Sequence, residues 1–163
     1  MSVSLRCYST SLGCPKNRVD TERLLGSLGV ALDPVESPDE AELVFINTCA
    51  FIPPATEESV RTVAQAIADI EELPKRPLLA VAGCLVGRYH AEDLAPELPE
   101  VDLWLDNSDL EAWPAMLARK LGLPEPTVPG RILSTGPSYA WLKISDGCRH
   151  ACSFCAIPNI RGG

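Results

Sequence analysis

Leu78-Leu79-Ala80-Val81-Ala82 is an unbroken apolar run that opens onto Gly83-Cys84. A strand with one wet face alternates between apolar and polar residues, whereas a run without alternation is covered on both faces, as in a parallel sheet flanked by helices. The run therefore predicts a central strand of an α/β domain. Leu43-Val44-Phe45-Ile46 is a second such run, followed by Asn47-Thr48-Cys49 and by a helix from about Thr56. On that helix Val60, Val63, Ala64, Ile67 and Ile70 share one face. Thr56 is the expected N-cap, with Glu57 and Glu58 suited to the positive end of the helix dipole.

Toward the N-terminus, a short strand over residues 3–8 leads into Ser11-Leu12-Gly13-Cys14-Pro15-Lys16-Asn17, and residues 20–28 have helical spacing ended by Gly29. Toward the C-terminus, residues 101–105 predict a fourth strand. Asn107 or Ser108 is the expected cap of a helix over 109–121, in which Pro114 is compatible only with the first turn. Alternating strands and helices of this kind define a mostly parallel α/β sheet over residues 1–121. Pro124, Pro126, Pro129 and Pro137, with Gly130 and Gly136, mark residues 122–138 as an extended linker or wrapping segment. Residues 139–163 begin a second unit: Tyr139-Ala140-Trp141-Leu142-Lys143-Ile144-Ser145 alternates like a strand and opens onto Cys148-Arg149-His150-Ala151-Cys152-Ser153-Phe154-Cys155. One strand is not a domain, so the sequence is expected to be part of a longer chain.

The 163 residues are 46% hydrophobic, enough for one well-buried core. No run of about 18 apolar residues exists to cross a membrane, and the first twelve residues lack the basic-then-apolar pattern of a signal peptide, which places the expected location in the cytoplasm. There, an odd count of seven cysteines points to metal ligation rather than disulfides. The net charge of −8 would repel a phosphate backbone, so nucleic acid is not the expected partner of this region, although a basic domain elsewhere could serve an RNA substrate.

Cys14, Cys49 and Cys84 each follow a predicted strand and sit beside small or turn-forming residues. Loops after the C-terminal ends of parallel strands lie along one edge, where such sheets bind ligands, so these three thiols are expected to converge on one iron-sulfur cluster and to leave one iron open. The plainer possibility is three ordinary buried cysteines, which behave as small hydrophobes. Cys148, Cys152 and Cys155 form a second, sequence-local set that again omits a fourth ligand. With His150 they could instead make a tetrahedral zinc site in a non-catalytic, zinc-stabilised binding module. A weaker alternative makes Cys84 a nucleophile with His90 or His150 as its base. His90 is otherwise a surface residue, and Cys7, on a predicted strand, a packed thiol.

The spacing CxxxCxxC, with Phe154 between the last two cysteines, resembles the signature of radical-SAM enzymes. Ser11 to Asn17, Asn47-Thr48-Cys49-Ala50-Phe51-Ile52 and Gly83-Cys84-Leu85 resemble the N-terminal domain of the methylthiotransferases within that family, so the resemblance runs over essentially the whole chain. It implies a parallel-sheet N-terminal domain followed by the first strand and cluster loop of a truncated radical-SAM partial TIM barrel. It further implies two four-iron four-sulfur clusters: one on Cys14, Cys49 and Cys84, the other on Cys148, Cys152 and Cys155 with S-adenosylmethionine on its open iron. In this family a 5'-deoxyadenosyl radical activates the substrate carbon, and the first cluster delivers the methylated sulfur. The Cys-Pro-Lys-Asn form, and Ile157 to Gly162, are similar to the RimO type, which modifies an aspartate of a small-subunit ribosomal protein. The tRNA-adenosine branch, the competing enzyme reading, usually shows Cys-Gln-Met-Asn there. The resemblance implies that protein as substrate, an electron-donor protein as partner, no membrane, and no turnover by this stretch alone.

Overall fold

The computed structural model describes residues 4–150 and 152–163. Five strands form one wholly parallel sheet in the order β2-β1-β3-β4-β5: β1 (Ser4–Ser11), β2 (Ala31–Pro34), β3 (Leu43–Thr48), β4 (Leu78–Gly83) and β5 (Leu103–Leu105). Successive side chains of a strand point to opposite faces, so each apolar run supplies two cores. On one face Leu43, Phe45, Ala80 and Ala82 pack against Leu24 and Leu25 of α1 (Pro15–Ser27), Leu28 just beyond it, and Trp113, Leu117 and Ala118 of α5 (Trp113–Leu121). On the other, Val44, Ile46, Leu79 and Val81 meet Val63, Ala66, Ile67 and Ile70 of α2 (Pro53–Ile70). β3 is fully buried along its length, in agreement with the absence of alternation in its sequence. Two short helices, α3 (Cys84–Tyr89) and α4 (Ala91–Leu94), follow β4, and α6 (Ile157–Arg161) closes the chain.

Several boundaries differ from expectation for local reasons. The predicted N-terminal strand is β1; Val3, its expected first residue, lies outside the described residues. α1 starts at Pro15 rather than near Asp20, and α2 at Pro53 rather than Thr56, because proline's fixed φ suits a first turn that needs no N–H. Thr56 is thus no cap: it sits inside α2, its hydroxyl donating to the Ile52 carbonyl at 3.4 Å, and Glu57 and Glu58 fall beyond the first turn. Asp106, not Asn107 or Ser108, caps the next segment, accepting from the Ser108 N–H at 2.7 Å at the start of a 3-10 turn (Asn107–Asp109). Pro114 lies in the first turn of α5, as its chemistry requires. β2 escaped the sequence reading, being a short, largely exposed edge strand that ends in proline.

Residues 139–145 do not form the expected strand. None of the described strands pairs with them, and an extended segment without a ladder has no regular partners for its backbone groups. Leu142 and Ile144 are accordingly 79% and 87% exposed. The segment before it does dock. Ile132 N–H donates to the Glu22 carbonyl at 3.0 Å, Gly130 N–H to Ser27 Oγ at 2.9 Å, and a Cβ added at Gly26 would lie 2.5 Å from the Arg131 backbone. Among the described residues no helix is long and apolar enough to cross a membrane.

Candidate metal centre

β1 is the point from which the chain winds both ways, to β2 on one side and β3 on the other. Loops leaving β1 and β3 part to helices on opposite faces, and the crevice between them is where doubly wound sheets bind ligands. Cys14 is the residue before α1, Cys49 follows β3, and Cys84 opens α3 directly after β4. The three expected thiols therefore share one end of the sheet.

The backbone there is arranged for close approach. Gly13 has φ 81°, and a Cβ on it would stand 2.6 Å from Cys49 Cβ and 2.7 Å from its sulfur. Gly83, with φ 99°, leaves no room for any side chain: an added Cβ would collide with Asn47 Oδ1 and lie 2.5 Å from the Thr48 carbonyl oxygen. Buried Ser59 of α2 fixes Cys49 twice, accepting from its N–H at 2.9 Å and donating to its carbonyl at 2.7 Å. Thr48 Oγ1 donates to the Ala82 carbonyl at 2.6 Å and accepts from Leu85 N–H at 3.2 Å, which ties the start of α3 to β3.

Asn17, wholly buried, is the hub. Its Nδ2 donates to the carbonyls of Leu12 and Thr48, both at 2.8 Å, spanning the crevice. Its own carbonyl accepts from Asn47 Nδ2 at 2.9 Å. Its Oδ1 faces the Cys84 sulfur at 3.9 Å and accepts from Arg161.

Cys49 and Cys84 are buried at this end of the sheet, the first against Gly13 and the second against the Asn17 amide, while Cys14 is exposed. The neighbouring Cys49 thiol, followed among the favourable influences by the Arg161 charge, holds the Cys84 thiol below the ordinary thiol range. Cys49 itself is pushed up by the Cys84 thiol and by burial. Cys7, packed between strand and helix, is pushed up to about 12 by burial alone, in keeping with a structural thiol.

Among the described residues the side chain hydrogen-bonded to the Cys84 sulfur is that of Asn17. His90 is exposed at the end of α3, with its ring 3.8 Å from Asp106 rather than against a thiol. The second set is looser. Cys148 N–H donates to the Gly162 carbonyl at 2.9 Å and Cys155 N–H to the Cys152 carbonyl at 3.0 Å, so the loop is turned on itself. Cys152 and His150 are exposed, Cys148 and Cys155 half-buried, Phe154 is 91% exposed, and Ala151 lies outside the described residues. Among the described residues no three Cys, His, Asp or Glu side chains close around a single ion. The first site is instead two buried thiols near the Asn17 amide with a third, exposed thiol on the loop before α1. This donor set suits a multi-iron cluster, in which separate cysteines serve separate irons, better than it suits one small ion.

Asn17, Ser59 and Arg161 were not singled out from sequence. Asn17 and Arg161 stand within the cysteine motifs, but their partners are remote in the chain.

A doubly wound parallel sheet with three cysteines at its switch point defines the class: an α/β domain with a candidate thiol site. Residues 6–106 match the family described as "Uncharacterized protein family UPF0004", and the chain belongs to it. Relatives named "Ribosomal protein uS12 methylthiotransferase RimO" agree with the resemblance seen in the cysteine motifs. That of Nitratidesulfovibrio vulgaris (strain DP4) is 72% identical over 156 residues, which are 96% of this chain and 36% of the relative. That of Lawsonia intracellularis is 58% identical over 162 residues, 99% of this chain and 37% of the relative. That of Aquifex aeolicus (strain VF5) is 46% identical over 153 residues, 93% of this chain and 33% of the relative. The chain thus spans about a third of the length of these proteins.

Proposed function

We propose that this chain is the N-terminal part of a radical-SAM methylthiotransferase that adds a methylthio group to an aspartate of ribosomal protein uS12 in the cytoplasm. The observation that carries the proposal is the placement of Cys14, Cys49 and Cys84 after three neighbouring parallel strands, at the switch point of a chain whose relatives bear that enzyme's name.

On this reading Cys14, Cys49 and Cys84 would hold one four-iron four-sulfur cluster, and Cys148, Cys152 and Cys155 would hold a second with S-adenosylmethionine. Together these groups supply radical generation and sulfur transfer, and an electron-donor protein feeds them. The chain's own contribution is placement. Ser59 fixes the Cys49 backbone, glycines at 13 and 83 clear the space that side chains would fill, and Asn17 ties the two loops across the crevice. Residues 1–121 act as the sulfur-delivering domain, 122–138 as the connection, and 139–163 as the start of the radical-generating unit. The relatives' names give no support to a tRNA substrate or to a zinc module.

The test is iron, acid-labile sulfide and zinc per chain after anaerobic reconstitution. Two clusters predict on the order of eight irons and eight sulfides. Stoichiometric zinc with negligible iron would sink the radical reading.

A further inference from the structure

We propose that Arg161 is a positioning residue of the first thiol site: it holds Asn17 and sets a fixed positive charge against the Cys84 sulfur. The segment that carries the second cysteine loop thereby tunes the first site. The inference rests on the reading that Cys14, Cys49 and Cys84 hold an iron-sulfur cluster.

Arg161 comes from the far end of the sequence and is anchored by backbone. α6 packs on α3 so closely that a Cβ at Gly87 would collide with the Ile160 carbonyl, and Ile160 itself is buried with Ala50, Cys84 and Leu85. Cys148 N–H holds the Gly162 carbonyl just beyond. The guanidinium is then 6% exposed, so little solvent screens it. Its Nη1 donates to Asp20 at 2.9 Å and to Asp146 at 3.1 Å, and Lys143 pairs with the same two carboxylates. Two cations and two anions balance, which would suffice for a tether.

A buried ion pair is weak evidence for stability by itself, since desolvation offsets much of the attraction. The informative contacts are the remaining ones. Nη2 donates to Asn17 Oδ1, the same oxygen that lies 3.9 Å from the Cys84 sulfur, so the guanidinium sits beside that thiol across one shared atom. The Asn17 amide is held in one orientation because its Nδ2 donates to two carbonyls. One planar, five-donor side chain can satisfy Asp20, Asp146 and Asn17 together; a lysine ammonium has three donors and no fixed plane. Charges and hydrogen bonds at the ligating sulfurs are among the levers that set a cluster's reduction potential.

The experiment uses the full-length protein with Cys148, Cys152 and Cys155 changed to Ala, so that only the first site reports. It is reconstituted anaerobically and its midpoint potential is followed by absorbance. Arg161→Gln should lower the potential by about 59 mV, a tenfold change in a one-electron equilibrium, and Arg161→Lys should restore at least half of that. Asp146→Asn, which cuts the tether but keeps the cation, should not lower it. If Arg161→Gln does not fold, the charge-balanced pair Asp146→Asn with Arg161→Gln carries the same expected direction. Iron at the parent level with an unchanged potential in the Arg161→Gln or paired variant overturns the inference and leaves the cluster reading standing. A lowered potential in Asp146→Asn equal to that of Arg161→Gln also overturns it, because Arg161 would then be a tether only. Absence of iron from the parent with Arg161 intact overturns the cluster reading and the inference with it.

Discussion

The two cysteine sets differ in what brings them together. Cys148, Cys152 and Cys155 are neighbours by chain spacing alone, on a loop that needs only a turn. Cys14, Cys49 and Cys84 are neighbours only because three parallel strands end side by side, with Cys49 and Cys84 buried where the other set is half-buried or exposed. A site assembled by the fold inherits the stability of the whole sheet, whereas one assembled by spacing can form on a segment with little regular structure. Changes inside the sheet should therefore affect the first set and leave the second intact.

The sharpest division is expected from Gly83→Ala. The new Cβ would meet Asn47 Oδ1 and the Thr48 carbonyl in a region of φ that non-glycine residues avoid, and neither neighbour is a flexible chain end. A loss of about 3 kcal/mol or more in urea unfolding is expected, with iron at the first site lost and iron on the 148–155 loop retained. Equal loss from both sites would erase the distinction. Single changes Cys14→Ala, Cys49→Ala or Cys84→Ala should likewise remove about half of the iron, read by iron and sulfide analysis.

A smaller effect is expected at Ser59. Its hydroxyl satisfies both the N–H and the carbonyl of Cys49 inside the protein, so Ser59→Ala leaves two buried polar groups without their partner. The cost should be about 1–3 kcal/mol, measured by denaturant unfolding, with faster alkylation of Cys49 in the metal-free protein. Unchanged stability would show that the Cys49 backbone finds other partners.

These positions also mark how far the sequence can be read. The apolar runs of β3 and β4 announce a covered parallel sheet because burial on both faces leaves its mark on every residue, and a cysteine after each strand announces the edge where thiols meet. β2 leaves no such mark, since a four-residue exposed edge strand needs no pattern. The alternation at residues 139–145 does announce a strand, but none of the described strands offers it a partner. The supports of the thiol site were invisible for another reason. Asn17 reaches Thr48 across 31 residues and Cys84 across 67, and Arg161 reaches Asn17 across 144; a hydrogen bond between remote residues has no signature in local spacing.

How firmly the segment after α5 is fastened to the sheet layer can be tested by pH. Burial by itself would raise the pKa of Glu22, but donation from the Ser134 hydroxyl and backbone N–H and from Arg131 outweighs it, and the carboxyl is held below its usual range. A folded-state value below the unfolded one gives stability that is present above the unfolded pKa, about 4.3, and is lost as pH falls through the folded value. Protection of the Ser134 amide against hydrogen exchange should therefore drop in acid while β3 stays protected, and Glu22→Gln should reduce that protection already at neutral pH. Coincident loss in both regions would make the segment part of the sheet's cooperative unit.

The smallest effect is expected at Thr56, and it separates composition from position. If Thr56 capped α2, Thr56→Ala would remove an acceptor from the helix's first turn and cost about 1 kcal/mol. It lies instead within the helix, half-buried, and its hydroxyl reaches back to a carbonyl four residues earlier, a bond that does little for a helix that Pro53 already starts. Alanine has the higher helix propensity, so the variant should unfold within about 0.5 kcal/mol of the parent. A loss near the capping value, with less helix by circular dichroism, would place the start of α2 at Thr56 and shift its first turn away from the Cys49 loop.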